Sequence, residues 1–82
     1  MYYGPMTHNM KVTLDTDIVA EHIDQFAAQL DALGFPTTEI DLEADTIVVD
    51  ASTDYDELSV ISAFIEAAEN VGVKGDALDI MI

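Results

Sequence analysis

The apolar residues of this chain switch repeatedly between a period of two and a period of about 3.6, and that succession constrains the fold more than any other feature. Lys11, Val12, Thr13 and Leu14 alternate polar and apolar, as a half-buried strand does. From Asp15 the period changes. Val19, Ile23, Phe26, Leu30 and Leu33 follow one stripe of an α-helix, with Asp15 or Thr16 placed to cap it. Asp17 and Glu21 lie near its positive end, Gly34 stands where a left-handed residue is wanted, and Phe35-Pro36 ends it.

Alternation returns over Thr38–Glu43, with Ile40 and Leu42 on one side and Glu39, Asp41 and Glu43 on the other. Ile47, Val48 and Val49 form the next strand, and the short Ala44-Asp45 link makes a β-hairpin. Asp54 and Glu57 have capping-box spacing before a second helix, which turns Leu58, Ile61, Phe64, Ile65 and Ala68 inward and stops at Gly72. Leu78, Ile80 and Ile82 then alternate with Asp79 and Met81 as a last strand. The expected fold is therefore α+β, the ferredoxin-like βαββαβ sandwich, with two helices on one face of a four-stranded antiparallel sheet. Residues 1–9 read as an arm or edge strand and 10–82 as a single domain. Gly4-Pro5-Met6 resembles a protease scar, so residues 1–5 need not be native.

On 82 residues the chain carries 17 acidic and 2 basic side chains, a net charge of −15, and it has no arginine. Phosphate neutralisation needs a cluster of Lys and Arg, so direct nucleic-acid binding is excluded, and anionic membranes and phosphorylated substrates are disfavoured. The 50% of hydrophobic residues is still enough for a core. Absence of cysteine removes disulfides and thiolate chemistry, and no apolar run approaches a membrane span. A soluble, cytoplasmic protein is expected.

Placed on the expected elements, the acids gather in two sets. Asp17, Glu21, Asp24 and Asp31 form an outward row on the first helix, roughly 5 Å apart along the axis where they are one turn apart. Glu39, Asp41, Glu43, Asp50 and Asp79 mark the open face of the sheet, together with Lys11, Thr13, Val48 and Met81. Val48 and Met81 there offer an apolar contact for a second copy. Like charges at helical i,i+4 positions cost about 0.2–0.5 kcal/mol per pair, so a charge of −15 on a small domain needs a compensating use. Either a basic partner or a cytoplasm of very high salt supplies one.

Catalytic and metal motifs are weak. His8 and His22 stand 14 residues apart with no His-x-x-x-His spacing. An EF-hand register from Asp41 puts Thr46 and Ser52 where glycine and glutamate are required. Ser52, Ser59 and Ser62 have no elbow motif or neighbouring base. The arginine cradle of acylphosphatases, the Cys-x-x-Cys of heavy-metal-associated domains, the aromatic and basic sheet face of RNA recognition motifs and the Gly-x-Asp-Ser-Leu of acyl carrier proteins are all missing. The expectation is a protein that is not an enzyme and uses no cofactor or metal.

In size, charge and lack of arginine the whole chain resembles the small acidic phage-encoded inhibitors, the anti-CRISPR and anti-restriction DNA mimics. No motif carries the resemblance. It implies a binding protein whose carboxylates occupy the basic nucleic-acid surface of a partner, with Asp17, Glu21, Asp24, Asp31, Glu39, Asp41, Glu43 and Asp50 as the contacting residues. The alternative is a halophile's salt-adapted domain with an oligomeric or regulatory role.

Overall fold

Exposed Lys11 and Thr13 alternate with buried Val12 and Leu14 to give β1 (Asn9–Thr13) in the computed structural model, which describes residues 9–51 and 56–82. The first helical stretch begins at Thr16 but is split. α1 (Thr16–Val19) passes through a 3-10 turn at Ala20–His22 into α2 (Ile23–Ala32). Val19, just before that turn, and His22, its last residue, have φ of −106° and −121°, away from helical values. The apolar stripe survives the break: Val19, Phe26 and Leu30 are fully buried, with Ile23 and Leu33 at its margins. Gly34 takes a φ of +96°, which lets the Phe35 N–H donate back to the Leu30 carbonyl at 2.9 Å.

β2 (Thr37–Asp41) and β3 (Thr46–Asp50) make the expected hairpin, and β3 is the central strand of an antiparallel sheet of order β1-β3-β2. The register pairs Met10 with Val49, Val12 with Ile47 and Ile40 with Ile47, so these side chains share the core face. The opposite face turns Asn9, Lys11, Thr13, Glu39 and Asp41 to solvent. A bulge between Thr37 and Glu39 shifts β2 against β3.

α3 (Glu57–Asn70) is capped by Asp56, whose Oδ1 accepts the Leu58 N–H at 3.2 Å. The capping residue is thus Asp56 in place of Asp54, which lies outside the described residues. The buried face is also rotated from the expected one. Val60, Ala63, Phe64, Ala67 and Ala68 face inward, Ile61 and Ile65 are half-buried, and Leu58 is 71% exposed. Three alanines on that stripe let α3 approach closely, and Phe64 meets Phe26 of α2 edge to face with ring centroids 5.8 Å apart.

The four-stranded ferredoxin-like sheet is overturned. The described sheet has three strands, and the expected last strand is replaced by a 3-10 turn at Gly75–Leu78. Leu78 reaches the core from that turn, and Asp79 adopts a left-handed φ of 52° that breaks the extended path. What remains is a single bridge in which Thr13 and Met81 exchange two backbone hydrogen bonds of 2.7 Å. The 3-10 turn sits so tightly on α3 that a Cβ at Gly75 would overlap the Ile65 side chain. Among the described residues, no helix is long and apolar enough to cross a membrane. The arm expected over residues 1–9 lies outside the described residues except for Asn9, which belongs to β1.

Candidate functional site

β2 is an edge strand, half-buried at Thr37 but left uncovered by the helical layer from Thr38 onward. Ile40 is 38% exposed although it shares the core face with Ile47, and Leu42 in the following turn is 42% exposed. Both were expected in the core. From Thr38 to Asp45 every side chain is exposed, an uninterrupted run of acids and aliphatics: Glu39, Ile40, Asp41, Leu42, Glu43, then Ala44 and Asp45.

Local hydrogen bonding gives this run a defined shape. The Asp41 carboxylate accepts the N–H groups of Glu43 and Ala44, both at 3.1 Å, closing the turn on itself. Asp45 takes the left-handed region at φ 57° and hands the chain to β3. Its carbonyl accepts the Leu14 N–H at 3.0 Å, and its carboxylate accepts the Thr16 hydroxyl at 2.7 Å. The Thr16 hydroxyl also lies 3.3 Å from the Leu42 carbonyl. Thr16 is fully buried, so this contact anchors the turn to the start of α1. The connection therefore spans Leu42–Asp45, longer than the two-residue link expected, and Glu43 projects from the turn and not from a strand.

The remaining expected acids are scattered over several surfaces. Glu39 and Asp41 do lie on the solvent face of the sheet, but only along its β2 margin. Asp50 is half-buried at the end of β3, opposite Asn9. Asp79 belongs to no strand. Between them the face carries Lys11, Thr13, Thr46 and Val48, and with Glu43 in the turn and Asp79 outside the strands its acids reduce to Glu39, Asp41 and the half-buried Asp50. On the helical side Asp17, Glu21, Asp24 and Asp31 are all exposed, yet they do not make one straight row. Glu21 lies in the 3-10 turn, which interrupts the row between Asp17 and Asp24 because it advances roughly 120° per residue against 100° in an α-helix.

Electrostatics favours the β2 margin as a contact surface. Side chains two residues apart on a strand face are about 6.8 Å apart, so in water the repulsion between Glu39 and Asp41 is roughly 0.6 kcal/mol. A cation brought close to both adds two attractions that outweigh that repulsion.

Other groupings are less developed. Asp15, Asp45 and Asp79 border a hollow beside Thr13 and Met81. Among the described residues no three His, Cys, Asp or Glu side chains converge as metal ligands. His22 is exposed on the 3-10 turn, Ser59 and Ser62 sit on α3, and His8 and Ser52 lie outside the described residues. Comparison with protein-family models, with curated proteins and with solved structures finds no match.

Proposed function

We propose that this is an acidic, non-enzymatic binding protein that occupies the basic, nucleic-acid-binding surface of a partner protein, as a DNA mimic does. The observation that carries this reading is the charge together with its placement. A net −15 is held on a folded α+β domain, and every described acidic side chain except the half-buried Asp50 is exposed. Such a surface attracts Lys and Arg clusters at long range and takes the place of the phosphates with which they would otherwise pair. Asp17, Glu21, Asp24, Asp31, Glu39, Asp41, Glu43 and Asp50 are the proposed contacts, with the β2 margin supplying aliphatic surface beside its carboxylates.

The experiment is capture from a cell lysate on immobilised protein, with a variant reversing Asp17, Glu21, Asp24, Glu39, Asp41 and Glu43 to lysine as control. Retention of nucleic-acid-binding proteins by the native surface alone, released by salt, is the expected result. Equal retention by both surfaces contradicts the proposal.

One observation favours a second reading. The exposed acids lie on α1, α2, α3, the hairpin and the 3-10 turn at Gly75–Leu78, so the charge surrounds the molecule. Salt adaptation in a halophile's domain calls for that all-round distribution. Thermal unfolding without added salt separates the two, because a salt-adapted domain collapses there and a binding protein stays folded.

A further inference from the structure

The two sides of the sheet are closed to different degrees. Beside β1 the Thr13–Met81 bridge supplies two backbone hydrogen bonds, whereas β2 has β3 on one side and no described strand on the other. An edge of this kind offers a row of backbone donors and acceptors to an added strand. Here the same residues also expose side chains on both faces: Glu39 and Asp41 on the solvent face, Ile40 on the core face, and Leu42 just beyond.

We propose that the β2 edge, Thr38–Asp41, binds an extended basic segment of a partner protein by strand addition. The sign of the charge selects the occupant. A second copy of this chain would bring Glu39 and Asp41 against their own counterparts, and like charges directly opposite on paired strands are unfavourable. A segment alternating Lys or Arg with aliphatic residues meets the edge correctly on both faces. Its basic residues lie opposite Glu39 and Asp41, and its aliphatic residues extend the apolar surface of Ile40, beside Leu42. The bulge at Thr37 and Glu39 and the turn closed by Asp41 limit the added strand to about the length of β2. This inference rests on the reading of the protein as an acidic binder and specifies the form of the basic partner: an extended strand, not a helix or a rigid groove.

The probe is a short synthetic peptide alternating lysine and valine, titrated at low salt and compared with the same peptide carrying N-methyl groups at alternate amides. Methylation keeps the charge and removes the backbone donors. Binding at least about tenfold weaker for the methylated peptide, with amide exchange slowed in residues 38–41 by the unmethylated one, is the expected outcome. Glu39→Lys with Asp41→Asn, which keeps the acceptor that closes the turn, sharply weakens binding, and the charge-matched pair Glu66→Lys with Glu69→Gln on α3 weakens it only slightly. Circular dichroism establishes that both variants are folded. Equal affinity for the two peptides, or equal effects of the two variant pairs, overturns strand addition while leaving a general attraction of basic proteins intact. Failure of the peptide to bind also overturns it, and the acidic-binder reading is then decided separately by lysate capture.

Discussion

The Thr16 hydroxyl donates to the Asp45 carboxylate across 2.7 Å, joining the first turn of α1 to the residue that ends the β2–β3 turn. Asp45 is left-handed and holds Leu14 through its carbonyl, so one residue ties the hairpin both to the link that follows β1 and to α1. Two separable effects meet there, the hydrogen bond and the backbone conformation. Asp45→Asn retains both and changes stability least. Asp45→Gly loses the side-chain acceptor at about 0.5–1.5 kcal/mol but relieves the backbone. Asp45→Ala loses the acceptor and keeps a left-handed cost of about 1 kcal/mol, so it is the least stable. Denaturant midpoints in the order Asn, Gly, Ala check this, and Gly below Ala contradicts it.

Gly75→Ala places a methyl group against Ile65, and because the obstruction includes Ile65 backbone it costs about 1–3 kcal/mol. Ile65→Ala in the same chain recovers part of that loss. Gly34→Ala, by contrast, meets nothing within 4 Å and costs only its unfavourable φ of +96°, about 1 kcal/mol, which Ile65→Ala leaves unchanged. A double-mutant cycle on urea unfolding measures both.

Phe26 and Phe64 hold the two helices together, and both are fully buried. Replacing either with alanine costs about 3–5 kcal/mol, a large share of what a small domain possesses. Phe64→Leu and Phe26→Leu are milder, and their coupling in a double-mutant cycle is about 0.5–1.5 kcal/mol.

Charge on the β2 margin opposes folding. Glu39→Gln raises the thermal midpoint at low ionic strength, by an amount corresponding to roughly 0.6 kcal/mol or less. At about 1 M salt, where screening acts over ~3 Å, the gain disappears. A gain that persists at high salt places the effect in packing and not in repulsion.

Much of the architecture is readable from residues alone, and the failures have physical causes. Phe26, Leu30 and Gly34 mark the first helix and its end because apolar spacing and a left-handed terminus act locally. The face of α3 is misread because Leu58 and Ile65 look more apolar than Ala63, Ala67 and Ala68, while close packing favours the small residues. Leu78, Ile80 and Ile82 alternate like a strand, but a 3-10 turn buries Leu78 equally well. Alternation through Ile40 and Leu42 shows that two sides differ without showing that either is covered, since cover comes from distant helices. The acids of the candidate edge are therefore legible as acids, and the exposed aliphatics between them are not.

The most direct measurement is displacement of labelled duplex DNA from a partner recovered by lysate capture. If the acidic surface occupies the partner's nucleic-acid site, added protein releases the DNA competitively, less effectively as salt rises, and the variant with Asp17, Glu21, Asp24, Glu39, Asp41 and Glu43 reversed releases none. A partner that holds this protein and DNA together, with the affinity for each unaffected by the other, contradicts the proposed function.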